Sequence, residues 1–197
     1  TTTAGGDVPV VVAEPEATSA VSDGPAATGG APVASVDVQT DVLRARIHLK
    51  GGTLANVELL RYPVSKEEPD TPFTLLHESG AKLFMAQSGL VGKSNAPNHH
   101  APYTAAQSAY VLQDGEDKMN VDLVWNGDGI RVTKRYSFER DSYQVHVSHR
   151  VENTTSESWT GRFYGQFRRA RPNESRGLFQ IYTYTGGILS SPEKPYE

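Results

Sequence analysis

The chain has 197 residues, of which 37% are apolar and 9% aromatic, so it is long enough to form a domain with its own hydrophobic core. It contains no cysteine, which excludes disulfides, thiolate catalysis and cysteine-ligated zinc. The formal net charge is −4, but four of the 23 acidic residues lie in the first 33 residues, which contain no Lys or Arg, and the other 19 balance the 19 basic residues. A neutral body argues against nucleic acid as the main partner, although it leaves room for a local basic patch.

Residues 1–33 consist almost entirely of Thr, Ala, Gly, Val, Pro and Ser and contain no aromatic residue. Such a composition cannot bury enough apolar surface to offset the conformational entropy lost on folding. We therefore predict a disordered low-complexity linker over residues 1–33 and a globular domain over residues 34–197.

From residue 34 onward, apolar and polar residues alternate with a period of two, which is typical of β-strands. Residues 42–49 are the first clear example. The Gly51-Gly52 pair and a second apolar segment at residues 54–60 follow, and this order predicts a β-hairpin. Shorter strands are predicted at residues 73–77, 84–89 and 109–112.

The centre of the chain has the clearest alternation, at residues 119–125, 130–138 and 143–151. The separating segments, residues 126–129 and Asp141-Ser142, are rich in Asn, Asp and Gly, which tolerate the positive φ of tight turns. These residues predict a three-stranded antiparallel meander.

Two further strands are predicted at residues 159–168 and 178–185, and no window has the period of an amphipathic helix. About ten short strands predict an all-β fold, either a sandwich or a barrel.

His99 and His100 are the tightest group among the six histidines. The Asn and Pro residues around them predict an exposed loop rather than a rigid metal cage, so we predict no metal site there. His149 falls on the apolar face of the strand at residues 143–151, where a core or edge histidine with satisfied hydrogen bonds is expected.

The carboxylates considered for acid–base catalysis are Asp114, Glu116 and Asp117, and they flank Gly115. This arrangement predicts a solvated turn rather than a catalytic site. No pattern in the sequence points to a catalytic residue or to a bound cofactor.

The most unusual local feature is the segment at residues 162–176, where arginines alternate with aromatic residues. Its arginines are Arg162, Arg168, Arg169, Arg171 and Arg176, and its aromatic residues are Phe163, Tyr164 and Phe167. One interpretation puts Phe163 and Phe167 in the core and leaves the arginines in water, and the sequence favours it. The other is a surface that binds a protein or a lipid headgroup, rather than nucleic acid, through Arg162, Tyr164, Arg168, Arg169 and Arg171.

Several segments, taken in order, resemble the first and larger periplasmic domain of the bacterial YidC-type membrane protein insertases. They lie at residues 40–43, 47, 51–54, 72–76, 86–90, 134–138, 140–143, 151–153, 184–187 and 192–197. The leader at residues 1–33 also resembles the linker that follows the first transmembrane helix of that family.

The resemblance implies a β-supersandwich similar to galactose mutarotase, with two antiparallel sheets packed face to face and apparently truncated at its C-terminus. It also implies a location on the periplasmic face of the bacterial inner membrane, in a multi-pass protein that inserts and folds membrane proteins alone or with the Sec translocon. In the family, the region matching residue 162 onward is associated with contacts to accessory subunits of the translocon. The domain itself is not expected to be an enzyme, because the insertase chemistry of the family belongs to transmembrane helices.

Two other readings remain open from the residues alone. A carbohydrate-binding or polymer-binding sandwich is possible if Tyr164, Tyr182 and Tyr184 line a cleft. A mutarotase-like enzyme would share the implied fold, but fold alone does not establish an activity.

Overall fold

The computed structural model describes residues 34–92 and 95–170. The predicted linker at residues 1–33 and the predicted strand at residues 178–185 lie outside the described residues. The described part consists of β-strands and one short 3-10 turn, Gly80–Lys82, joined by turns and loops.

The strands follow one another along the chain with short connections. They are β1 (Ser35–Gln39), β2 (Leu43–His48), β3 (Thr53–Pro63), β4 (Pro72–Leu76), β5 (Phe84–Gly92), β6 (Thr104–Ala105), β7 (Ala109–Val111), β8 (Lys118–Gly127), β9 (Ile130–Glu139), β10 (Val145–Asn153) and β11 (Gly161–Arg169).

The strands form two sheets. Sheet I has seven strands in the order β11-β5-β3-β2-β1-β7, with β4 also paired to β3, and sheet II has the order β10-β9-β8-β6. All described pairs are antiparallel except β1 with β7, which is parallel. The prediction of an all-β fold with two sheets is confirmed.

The hydrophobic core lies between the two sheets, because alternate residues of the long strands face inward. In β9, Ile130, Val132, Tyr136 and Phe138 are buried as the alternation predicts. Residues of β1, β2 and β3 in sheet I pack against these and against inward residues of β8. The opposite faces of β8 and β9 carry the polar and charged residues.

The tight turns of the meander occur where the sequence predicts them. Asp128 and Gly129 join β8 to β9 with φ values of 49° and 74°, and Asp141, with φ 56°, lies in the turn between β9 and β10. The first hairpin also turns at its glycine pair, since Gly51 and Gly52 have φ values of 73° and 53°. These left-handed conformations favour Gly, Asn and Asp.

Two short strands were not predicted. β1 begins directly after the low-complexity leader and has five residues, and β6 has two residues, Thr104 and Ala105, which pair with β8. A strand of two residues gives no periodic signal, whereas β1 does alternate, with Val36 and Val38 buried, and was missed beside the low-complexity leader.

Candidate functional site

Strand β11 carries the basic and aromatic residues that the sequence singled out. It pairs antiparallel with β5 along its whole length, from Gly161 opposite Gly92 to Arg169 opposite Phe84. Within residues 34–92 and 95–170, β11 is the terminal strand of sheet I. Because successive side chains of a strand point to opposite faces, β11 divides its predicted contact residues between two sides of the sheet.

Arg162, Arg168 and Arg169 are exposed. In the part of the chain that the structure describes, none of them has a carboxylate partner, and β5 beside them has no charged residue. Arg169 lies on the opposite side from the other two, and its guanidinium is 5.9 Å from the centre of the Phe84 ring, within the range of a cation–π contact.

Five of the seven arginines elsewhere in the described part of the chain are paired with acids. Arg44 contacts Glu58 at 2.8 Å, Arg46 contacts Asp37 at 2.9 Å, and Arg135 contacts Asp122 through two hydrogen bonds of 2.7 Å. Arg61 and Arg150 also have carboxylate partners. The positive charge of β11 is therefore a local surplus on a domain in which most other described arginines are paired with acids.

Tyr164 does not belong to this exposed set. It is 8% exposed, and its hydroxyl accepts a hydrogen bond of 2.9 Å from the backbone N–H of His99 and lies 2.6 Å from the Nδ1 atom of that residue. The side chain holds the loop around residue 99 against the outer face of β11. The structure therefore does not offer Tyr164 to a partner, contrary to its place among the predicted contact residues.

Phe163 and Phe167 are exposed, so the prediction that they point into the core is wrong. Their exposed fractions are 58% and 72%. Both rings face the space between the sheets, Phe163 at 5.4 Å from His149 and Phe167 at 5.5 Å from Phe84. The reason is that the described part of sheet II has four strands against seven in sheet I, which leaves the inner face of β11 incompletely covered.

These two rings belong to an apolar cleft of about 660 Å³ between the sheets. Its walls come from β2 to β5 and β11 of sheet I and from β9 and β10 of sheet II, and they include Leu54, Leu75, Phe84, Val145, Phe163 and Phe167. Carbohydrate sites combine aromatic faces with several polar groups that fix the hydroxyls. The walls of this cleft are mainly apolar and carry few polar side chains, so they do not favour the carbohydrate-binding alternative.

A buried lysine joins the two sheets beside the cleft. Lys134 of β9 has no exposed surface, and its Nζ donates hydrogen bonds to the carbonyl oxygens of Gly51 at 3.0 Å, Gly52 at 2.7 Å and Ser88 at 2.9 Å. Burial lowers the pKa of Lys134 to about 7. The hydroxyl of Tyr136 also donates to the Gly52 carbonyl.

The sequence analysis missed this role of Lys134. The signal was present, because Lys134 occupies an inward position in the alternation of β9, between Val132 and Tyr136. A lysine at such a position must find acceptors for its ammonium group or lie at an edge.

His99 is buried and 2% exposed, whereas the sequence predicted an exposed loop. Its backbone carbonyl lies so close to Gly51 that a Cβ there would be 1.9 Å from the oxygen. His100 is exposed. No group of three or more His, Cys, Asp or Glu side chains that could hold a metal ion occurs among the described residues.

His149 lies on the inner face of β10, as predicted, but its hydrogen bonds are not those expected. Both ring nitrogens are buried and have no partner among the residues that the structure describes. Burial, together with the charge of Lys134, lowers the pKa of His149 to about 4. The ring is therefore neutral near pH 7 and packs against Phe163 as an apolar group would.

Three predicted site residues, Arg171, Tyr182 and Tyr184, lie outside the described residues. Within residues 34–92 and 95–170 the structure contains no helix with the length and apolar character needed to cross a membrane.

Comparison with known proteins gives one consistent family. Residues 35–197 match the family of the YidC periplasmic domain. The membrane protein insertase YidC of Methylococcus capsulatus is 44% identical over 165 residues, which cover 82% of this chain and 30% of that protein. The membrane protein insertase YidC of Nitrosococcus oceani is 40% identical over 166 residues, which cover 83% of this chain and 30% of that protein. One from Coxiella burnetii is 34% identical over 203 aligned positions, which cover 99% of this chain and 36% of that protein. The chain thus spans about a third of the length of these curated relatives.

Proposed function

The chain belongs to the family of YidC periplasmic domains, and on that basis we propose that it is a non-catalytic interaction module of a membrane protein insertase. It acts on the periplasmic face of the bacterial inner membrane, within a protein that inserts and folds inner-membrane proteins. The name of the relatives, membrane protein insertase, describes the whole proteins. The role that we assign to this domain is to bind another protein that takes part in insertion.

The arginines that we assign to partner binding are the exposed ones on β11, which are Arg162 and Arg168 on its outer face and Arg169 at its end on the other face. The observation that carries this assignment is that none of these three neighbouring cations has a carboxylate partner within the described part of the chain, whereas five of the seven other described arginines do. Unpaired exposed arginines are favourable contacts for an acidic protein surface, since their guanidinium groups form bidentate hydrogen bonds with carboxylates.

The partner we favour is an accessory subunit of the Sec translocon that presents an acidic periplasmic surface. Electrostatic complementarity of this kind accelerates association and sets orientation. Nascent membrane proteins are the second candidate partner, because the relatives are named as insertases.

Residues 1–33 then serve as a tether between the membrane and the domain. A flexible chain of this length has a root-mean-square reach of roughly 30 Å, which lets the domain sample a wide zone beside the bilayer.

The experiment is a pull-down of the chain against the purified periplasmic domains of translocon accessory subunits. We expect the wild-type chain to retain an accessory subunit and a triple variant, Arg162→Gln, Arg168→Gln and Arg169→Gln, to bind it roughly tenfold more weakly. Three exposed ion pairs of about 0.5 to 1 kcal/mol each together exceed the 1.4 kcal/mol that corresponds to a factor of ten.

The matched control is a second triple variant, Arg131→Gln, Arg135→Gln and Arg150→Gln, which removes the same charge from the outer face of sheet II. It should bind like the wild type. Equal weakening by both variants would mean that overall charge, rather than β11, determines binding. No retention of any accessory subunit by a chain with the circular dichroism of a folded β-protein would contradict the partner assignment.

A further inference from the structure

A shallow concavity of about 260 Å³ lies on the outer face of sheet II, on the side away from the core. Its seven lining residues, among those that the structure describes, are all polar or charged, and three of them are arginines. The volume is below the roughly 300 to 1,000 Å³ of sites for drug-sized ligands, and such a lining offers little to an apolar group. The concavity therefore suits a compact polar ligand.

The pairing of β9 with β10 places the arginines around a central threonine. Thr133 lies opposite Arg150 of β10. Arg131 and Arg135 are two residues before and after Thr133 on β9, so each is on the same face, about 7 Å along the strand. Ser148, opposite Arg135, adds a second hydroxyl. Three guanidinium groups and two hydroxyls therefore border one small area.

The two carboxylates of the concavity leave many of these donors free. Asp122 accepts two hydrogen bonds from Arg135, each of 2.7 Å. Glu152 lies 3.2 Å from the Nε atom of Arg150. Because a guanidinium carries five N–H donors, the terminal amino groups of Arg150 have no carboxylate partner within the described residues.

Arg131 is freer still. It has no carboxylate partner among the described residues, although Glu152 lies opposite it on β10. Arg140, the other described arginine outside β11 without such a partner, donates instead to the backbone carbonyl oxygens of Gln113 and Glu116. Arg131 makes no hydrogen bond of that kind in the described part of the chain, so its five donors are available to a ligand.

The ligand that matches these donors is a tetrahedral oxyanion. Guanidinium forks bind phosphate oxygens in pairs, and hydrogen bonds that involve charged groups are roughly twice as strong as neutral ones. The donors here come from two neighbouring strands and from hydroxyls between them, and a phosphate group has acceptor oxygens in several directions. A phosphate can therefore bind Arg131, Arg150 and Thr133 at the same time.

We propose that the outer face of sheet II binds a phosphate group above Thr133, held by the guanidinium groups of Arg131 and Arg150. Two sources carry this chemistry, the headgroup of an anionic phospholipid and a soluble phosphate. The headgroup source rests on the proposed location of the domain beside the membrane, whereas binding of soluble phosphate does not. The site is on a different sheet from the β11 arginines, so its failure would leave the proposed partner surface of β11 untouched.

The first test is a titration of the isotope-labelled chain of 197 residues with inorganic phosphate at constant ionic strength, followed by amide chemical shifts. We expect saturating shifts centred on Thr133 and Arg150. Arg131→Gln should weaken binding about fivefold, the factor that corresponds to one exposed ion pair. Thr133→Val removes the hydroxyl while keeping the charge, and it should weaken binding about threefold or more.

Lys66→Gln is the charge-matched control, because Lys66 is an exposed cation in the loop between β3 and β4. It should bind phosphate like the wild type. Equal weakening by Arg131→Gln and Lys66→Gln would overturn the proposal, because overall charge would then explain the binding. Shifts that do not saturate, or a Thr133→Val variant that binds like the wild type, would overturn it as well.

The second test distinguishes the two sources by co-sedimentation with vesicles of phosphatidylglycerol and phosphatidylcholine. Retention by these vesicles but not by pure phosphatidylcholine, with loss of retention in Arg131→Gln, would support the proposal and identify the lipid headgroup. Saturating shifts with phosphate but no retention by either kind of vesicle would support it and identify a soluble phosphate. A chain with neither saturating shifts nor retention that depends on Arg131 would contradict the proposal for both sources.

Discussion

Lys134 and the β11 arginines both lie on strands with a period of two, yet their surroundings are opposite. Lys134 has no exposed surface, and its Nζ donates to three backbone carbonyls, two in the turn between β2 and β3 and one in β5. Arg162 and Arg168 are exposed and have no carboxylate partner within the described residues. The fold uses the N–H donors of Lys134 but disfavours its charge, whereas the charges of the two arginines are paired with no acid in the described part of the chain.

This difference shows that a basic residue stabilises the fold or remains available for binding according to the groups around it, and not according to its charge alone. The N–H donors of a lysine reach three convergent carbonyls in a way that an apolar side chain cannot. Exposed guanidinium groups stabilise a folded chain little, and they become useful only when a second protein supplies carboxylates. The comparison predicts large effects on stability at Lys134 and small ones at β11, with the reverse order for binding.

The largest expected effect is that of Lys134→Met. The substitution leaves the carbonyls of Gly51, Gly52 and Ser88 buried with fewer donors, so we expect the free energy of unfolding to fall by about 3 kcal/mol. Urea denaturation followed by tryptophan fluorescence measures it. The free energy of unfolding of the β11 triple variant should differ from that of the wild type by less than about 0.5 kcal/mol. Similar losses in Lys134→Met and in the triple variant would contradict the predicted difference between the buried lysine and the exposed arginines.

Gly51→Ala should have the next largest effect, about 2 kcal/mol or more. Gly51 has φ 73°, which costs an alanine about 1 to 2 kcal/mol, and the new Cβ would also lie 1.9 Å from the His99 carbonyl oxygen. Gly80→Ala is the matched control, because Gly80 also has φ 73° but has nothing within 4 Å of an added Cβ. An equal decrease in the free energy of unfolding of both variants would show that contact with the His99 loop adds no cost at Gly51.

The pH dependence of stability sharpens the comparison further. Burial lowers the pKa of Lys134 to about 7 in the folded state from the ordinary value of 10.5, so between these pH values the unfolded chain binds more protons. The free energy of unfolding contributed by this group therefore rises with pH above 7, by at most about 1.4 kcal/mol per pH unit. The rise in stability ends near pH 10. Burial raises the pKa of Tyr103 and Tyr136 in the folded state above the ordinary value of 10, so above that pH the unfolded chain loses these protons first and the free energy of unfolding falls.

The measurement is a series of urea denaturations between pH 7 and 9.5 on the wild type and on Lys134→Met. The free energy of unfolding should rise with pH in the wild type and should not rise in Lys134→Met. The β11 triple variant should retain this rise, and an identical pH profile in all three proteins would show that Lys134 does not titrate in this range.

The smallest expected effect is at an exposed ion pair that the fold does satisfy. Arg135 and Asp122 have exposed side-chain fractions of 48% and 39%, so Arg135→Gln should lower the free energy of unfolding by less than about 1 kcal/mol. The loss should shrink further in 1 M salt, which screens exposed charges. A loss as large as that of Lys134→Met would mean that exposed and buried cations contribute alike.

Local structure was largely predictable from the sequence. The alternation at residues 130–138 corresponds to β9, Ile130–Glu139, and the Asp141-Ser142 separator corresponds to a turn with φ 56° at Asp141. These signals are local, because the strand period and the tolerance of positive φ depend on a few neighbouring residues.

The long-range arrangement was not predictable in the same way. β11 pairs with β5, whose partner residues lie 69 to 85 positions earlier in the chain, from Gly161↔Gly92 to Arg169↔Phe84, and no local pattern encodes that choice. The exposure of Phe163 and Phe167 and the burial of His99 depend on this pairing and on which elements cover each face. Alternation correctly assigned these β11 side chains to two faces, but it did not reveal what lies opposite each face.

The central claim is that β11 binds a partner through its arginines, and site-specific photocrosslinking in cells tests it most directly. A photoreactive phenylalanine replaces Arg168 in one protein and Arg131, on the outer face of sheet II, in the other, each within the full-length insertase to which we assign the domain. We predict an adduct with a translocon accessory subunit from position 168 and none from position 131. Adducts from both positions in equal yield, or from neither, would contradict the account.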